Sequence, residues 1–78
     1  MRKRELKLVI TFHTTADAME MEQLCMRRQM PGRLIPVPST ISAGCGLAWC
    51  APLEWREPLA VLTGQSGIKE EAVYECLL

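Results

Sequence analysis

Apolar residues in this chain alternate first at the spacing of a strand and then at the spacing of a helix. The segment KLVITFH, residues 7–13, is rich in β-branched and aromatic residues and predicts a first strand. Strong helix formers follow Thr14, which stands three residues before Asp17 in the spacing of a capping box. We therefore predict a first helix over residues 15 to about 29.

The middle of the chain reads as two short strands joined by a loop. Pro31 and Gly32 should end the helix, since proline cannot continue it and glycine readily adopts the left-handed terminal conformation. RLIPV, residues 33–37, predicts a second strand, which its proline favours at a sheet edge. After the loop STISAGCG, residues 39–46, the apolar segment LAWCA, residues 47–51, predicts a third strand.

A helical pattern returns in the last third of the chain, but Pro58 interrupts it. If Glu57 caps the helix and Pro58 is its first residue, the proline is tolerated. If the helix begins at Leu53, it must kink. We favour a loose turn over 53–57 and a helix over about 58–65.

The segment EEAVYECLL, residues 70–78, has the alternation of a last strand. The order β-α-β-β-α-β is that of the α+β ferredoxin-like split βαβ fold, a four-stranded antiparallel sheet with two helices on one face. The competing architecture is a β-α-β core with a helical or disordered C-terminus. With 78 residues, we expect a single domain over 1–78.

Charge and hydropathy exclude two classes of partner. Residues 1–33 carry seven Lys/Arg against four Asp/Glu, whereas residues 34–78 carry two against five. This weak dipole, with four aromatic residues and zero net charge, is unlike a nucleic-acid-binding surface. No apolar run approaches the length that spans a bilayer, and the N-terminal apolar stretch is too short for a signal peptide. We expect a cytoplasmic protein that binds neither nucleic acid nor membrane.

Four cysteines, at positions 25, 45, 50 and 76, are the candidate chemical groups. Without an export signal they should be reduced thiols, and they lack the paired spacing of a zinc site, so we expect no metal and no cofactor. Cys25 on the apolar helix face and Cys76 in the last strand are expected to be core thiols.

Several motifs together resemble the selenium/sulfur carrier-like family, a group of small bacterial domains. They are a strand ending in Phe12, a Thr15-x-x-Ala18 helix start, Leu-Ile-Pro-Val-Pro at 34–38, and Ile-Ser at 41–42 followed by Cys-Gly-Leu-Ala at 45–48. The resemblance is specific over residues 7 to about 51 and extends to the C-terminal third in outline. Two departures stand out: Pro58 interrupts a helix that looks continuous in relatives, and Trp49 and Cys50 stand where other residues are usual.

The resemblance implies that Cys45 is a carrier thiol, which holds sulfur or selenium as a persulfide or selenopersulfide. Ser42, Gly44 and Gly46 would support an accessible, mobile loop around it. Arg33 is a more distant candidate for a positive charge near the sulfur. The implied partners are a cysteine desulfurase or another sulfur or selenium donor and an acceptor protein, and the chain would be at most a co-catalytic carrier rather than an enzyme.

Two other interpretations remain open at this stage. Cys45 is a small buried residue after a tight turn if the chain is a non-catalytic binding or regulatory module, which would dimerise through its sheet face. Cys50 is either a sheet-face residue or a resolving thiol in a disulfide switch with Cys45. If residues 45–50 are extended, the two side chains point to opposite faces at roughly 16 Å, which disfavours the switch.

Overall fold

The computed structural model describes residues 4–41 and 45–78. Its strands are β1 (Leu6–Phe12), β2 (Arg33–Pro36), β3 (Leu47–Pro52) and β4 (Glu70–Leu77). Its helices are α1 (Thr15–Arg27) and α2 (Arg56–Ser66), and a single 3₁₀ turn, Leu53–Trp55, precedes α2. The predicted element order is confirmed.

The four strands form one antiparallel sheet in the order β2-β3-β1-β4. This is the ferredoxin-like arrangement that the element order predicts. The strand β2 lies at an edge, as its Pro36 indicates, and β4 forms the other edge. The strand β1 is paired on both sides, with β3 and with β4.

Both helices pack on one face of the sheet, which we call the helix face. Leu8 and Ile10 of β1 and Trp49 of β3 alternate onto this face and share one apolar cluster with residues of both helices. The buried residues that the helices contribute are Ala18, Met21, Leu24, Cys25, Leu59 and Leu62. Arg56, the first residue of α2, also forms an ion pair with Glu75 of β4 at 2.7 Å.

The ends of α1 confirm one prediction and correct another. Thr14 is the N-cap, and its hydroxyl accepts the backbone N–H of Asp17 at 3.1 Å. At the other end Gln29, not Gly32, has the left-handed conformation, with φ of 56°. Gly32 instead has φ of +134°, and a Cβ there would lie 2.5 to 2.7 Å from the Trp49 ring. Glycine is therefore needed at 32 because the indole packs against the backbone.

The second helix begins two residues earlier than predicted, at Arg56, so Pro58 is its third residue. The first four N–H groups of a helix have no intrahelical acceptor, and a proline in the first turn consequently removes no hydrogen bond. Neither predicted start, at Pro58 or at Leu53 with a kink, is correct. Gly67 ends the helix in a left-handed conformation with φ of 79°.

The opposite side of the sheet, which we call the open face, is partly covered. Val9, Thr11 and Ala48 alternate onto this face, yet each is 0% exposed. The residues after β2, Pro38–Thr40, line a cavity together with Cys76 of β4, at the far edge of the sheet. Residues 38–40, which follow β2, therefore extend over the open face towards β4.

Candidate functional site

Cys45 lies two residues before β3 and is half-buried. It packs against the apolar cluster of the helix face. Of the predicted supporting residues, Ser42 and Gly44 lie outside the described part of the chain, and Gly46 lies within it. The thiol therefore has an apolar wall on one side and partial access to solvent.

The backbone of Leu47 makes two contacts with the Cys45 sulfur. The Leu47 N–H donates to Sγ, and the Cys45 thiol donates to the Leu47 carbonyl, each at 3.4 Å. The carbonyl contact exists only while the thiol keeps its proton. A backbone N–H directed at a sulfur atom is a contact that favours negative charge on it.

Gly46 turns the chain from the loop into β3. Its φ of +81° is a conformation that favours glycine, and apart from its chain neighbours no atom of the described residues would lie within 4 Å of a Cβ at this position. Its carbonyl accepts the Val37 N–H at 3.0 Å, which ties the residue to the end of β2. The glycine next to Cys45 is thus required by backbone conformation.

Cys50 has different surroundings, on the open face. It pairs with Arg33 across β2 and with Val9 across β1. Burial raises the pKa of its thiol, while the positive charges of Lys7 and Arg33 act to lower that pKa and the Cys76 thiol acts to raise it. Arg33, which the sequence offered as a charge for Cys45, is the direct cross-strand neighbour of Cys50.

The remaining two cysteines differ from each other. Cys25 is a core thiol, as predicted, and burial raises its pKa from 9.0 to about 11. Cys76, predicted to be in the core, is only half-buried and lines a cavity on the open face. The prediction was wrong because β4 is an edge strand and the open face is only partly covered.

The sheet separates the two cysteines of the 45–50 segment. Cys45 contacts the helix-face cluster, whereas Cys50 lies beside Arg33 on the open face. Pairing of the two thiols in a disulfide stays a prediction, and it would require the start of β3 to leave its place, since disulfide-bonded Cα atoms lie within about 7 Å.

Comparison with known protein families gives one match. The family model described as "Putative Se/S carrier protein-like" matches residues 7–75. The chain belongs to this family. The match extends beyond the N-terminal two thirds on which the sequence motifs are specific, and it includes α2 and most of β4. No curated protein and no solved structure matches the chain.

Metal-ligand clusters and membrane-spanning helices are both absent from the described residues of this Se/S carrier-like protein. Within residues 4–41 and 45–78, no group of three His, Cys, Asp or Glu side chains is placed to hold a metal ion. In the same residues, no helix has the length and apolar character needed to cross a bilayer.

Sequence reasoning missed the cationic surroundings of Cys50 in this Se/S carrier-like protein. Lys7 and Arg33 are 26 residues apart in the chain, and both act electrostatically on the Cys50 thiol. The signal that could have found them is strand alternation, which places Lys7 on the same face as Val9, combined with the pairing of β2 and β3.

Proposed function

We propose that this chain is a sulfur or selenium carrier that holds the transferred atom on Cys45 as a persulfide or selenopersulfide. Membership of the Se/S carrier-like family supports the carrier role. The observation that carries the assignment to Cys45 is its geometry: a half-buried thiol beside Gly46 whose sulfur accepts the Leu47 N–H.

The loading step needs a thiolate on Cys45 and a persulfide on the donor. The thiol proton passes to solvent, and Sγ attacks the outer sulfur of the donor persulfide. A new S–S bond forms on Cys45, the donor's S–S bond breaks, and the donor cysteine leaves as a thiolate. In the product the Leu47 N–H remains directed at Sγ. The sulfur has lost its proton, so it no longer donates to the Leu47 carbonyl.

Delivery of the outer sulfur to an acceptor protein follows the same exchange in the opposite direction. A thiolate of the acceptor attacks the outer sulfur, and Cys45 leaves as a thiolate that the same N–H stabilises. The chain then returns to its starting state without completing a catalytic cycle alone. A cysteine desulfurase or another donor and an acceptor protein are its proposed partners.

The test is intact-mass measurement after incubation with a cysteine desulfurase and cysteine. The unaltered chain should gain one sulfur atom that a reductant removes, and Cys45→Ala should gain none. Cys50→Ala, which removes a thiol from the other face of the sheet, is the matched control and should still be loaded. Selenocysteine in place of cysteine tests transfer of selenium in the same way.

Equal loading of the unaltered chain and Cys45→Ala would show that Cys45 is not the residue that holds the transferred atom. Absence of loading from both, together with tight dimerisation that Cys45→Ala leaves unchanged, would favour the non-catalytic binding module over the carrier.

A further inference from the structure

A cleft on the open face combines one thiol with three cationic side chains. Arg4, Lys7, Arg33 and Cys50 line a cleft of about 560 Å³. Lys7, Arg33 and Cys50 also line an adjoining cleft of about 290 Å³. Cys50 lies in β3, which pairs with β1, the strand of Lys7, and with β2, the strand of Arg33. The sheet therefore holds the thiol between two positive charges.

The charge of the larger cleft is only partly compensated. Glu5 also lines it and forms an ion pair with Lys7 at 3.2 Å. Over the described ranges 4–41 and 45–78, neither Arg4 nor Arg33 takes part in an ion pair. Arg4 and Arg33 therefore line the cleft without an ion-pair partner among the described residues, and their positive charge raises the local concentration of small anions.

Other thiols of the chain lie too far away to react with Cys50 in the folded protein. Cys76 shares the open face, but β1 lies between its strand and that of Cys50. Two strand spacings amount to about 10 Å, more than the about 7 Å that a disulfide tolerates between Cα atoms. Cys45 packs on the helix face. A small thiol bound to Cys50 would therefore not be displaced by a second cysteine of the same chain.

We propose that Cys50 and this cationic cleft form a second site, at which Cys50 reacts with a small anionic disulfide and keeps one half of it as a mixed disulfide. The ligand class is a low-molecular-weight disulfide that carries carboxylate groups, whose negative charges Arg4 and Arg33 attract. This site is independent of the carrier role of Cys45.

The reaction is a thiol–disulfide exchange. The Cys50 thiol releases its proton to solvent, and the thiolate attacks one sulfur of the small disulfide. A bond forms between Cys50 and that sulfur, the disulfide bond of the reagent breaks, and its other half leaves as a thiolate. Because burial raises the Cys50 pKa, the reaction is slow at neutral pH and faster in mildly alkaline solution.

Charge selectivity is the property that the experiment measures. The full chain is incubated separately with glutathione disulfide, which is anionic, with bis(2-hydroxyethyl) disulfide, which is neutral, and with cystamine, which is cationic. Tandem mass spectrometry follows modification at Cys50, and each rate is divided by the rate for the same reagent with the protein unfolded in urea. The anionic reagent should be favoured about tenfold over the neutral one, and high salt should remove the preference.

Matched variants identify the charges responsible. Arg33→Gln should lower the preference for the anionic reagent several-fold, whereas Arg27→Gln, which removes an exposed arginine from the end of α1, should leave it unchanged. Cys50→Ser should abolish modification at this position. Equal normalised rates for the three reagents, or equal effects of Arg33→Gln and Arg27→Gln, would overturn the proposal. Loading of Cys45 by a desulfurase is a separate readout, so failure of one proposal leaves the other intact.

Discussion

At the scale of single residues, the surroundings of each thiol decide what it can do. Cys25 is enclosed in the core, Cys45 receives a backbone N–H at the start of β3, and Cys50 lies beside Lys7 and Arg33. The thiolate is the reactive form of cysteine, so burial suppresses reaction and nearby N–H groups or cations promote it. The four cysteines of this short chain are therefore chemically distinct.

Cys25 should make the stability of the protein depend on alkaline pH. Its thiol releases a proton near pH 9.0 in the unfolded chain but only near pH 11 in the folded one. This contribution to the free energy of unfolding is complete below pH 9 and falls by about 2 kcal/mol as the pH rises to 11. Cys25→Val is apolar and has no ionisable group, so its stability should decline less steeply between the two pH values even if the slightly larger side chain lowers stability at both.

Urea denaturation of both proteins below pH 9 and near pH 11 measures the two declines. Parallel declines would mean that the folded state does not hold the Cys25 proton more tightly than the unfolded state.

Cys45 could be singled out from the sequence, because its glycine neighbour and the surrounding motif are local features. The environment of Cys50 could not be derived in the same way. It depends on which residue of β2 faces position 50, and a shift of one residue in that pairing would place Arg33 on the opposite face. Local pattern thus points to a candidate residue such as Cys45 more readily than it predicts which residues neighbour a thiol across the sheet.

At the scale of elements, strand and helix types follow from the spacing of apolar residues, whereas helix ends depend on backbone detail. Thr14 and Asp17 locate the start of α1, because the Thr14 hydroxyl accepts the Asp17 N–H and donates to the Asp17 carboxylate. The start of α2 was harder to predict, since Pro58 fits any of the first helical positions. The 3₁₀ turn at Leu53–Trp55 leads into the helix and moves its start to Arg56.

Gly32 should be the least replaceable glycine among those for which the structure gives a neighbourhood. Gly32→Ala places a methyl group against the buried Trp49 ring at a backbone φ of +134°. The combined strain should lower the free energy of unfolding by about 2 to 4 kcal/mol. Gly64→Ala is the matched control, because Gly64 lies in α2 with open space around it. That change should raise stability by about 0.5 to 1 kcal/mol.

Chemical denaturation followed by circular dichroism compares the two alanine variants with the unaltered chain. If Gly32→Ala were as stable as Gly64→Ala, Trp49 would not need the space that glycine leaves at position 32.

At the scale of the whole molecule, the sheet divides the thiols into two pairs. Cys25 and Cys45 contact the helix face, and Cys50 and Cys76 lie on the open face. The division follows from strand alternation, but the cover over the open face could not be predicted. The segment after β2 reads as a polar loop, and only its position in three dimensions shows that Pro38–Thr40 extend towards β4.

This division predicts that mild oxidation of the folded protein with diamide joins Cys50 neither to Cys45 nor to Cys76. Cys45 and Cys50 lie on opposite faces, and a whole strand separates Cys50 from Cys76. Mass spectrometry of the unreduced peptides should therefore show neither crosslink in native buffer, whereas the same oxidation in urea should produce both, because the unfolded chain brings its thiols together freely. A Cys45–Cys50 crosslink formed under native conditions would instead support the disulfide switch, since it would show that the start of β3 opens readily enough for the two sulfurs to meet.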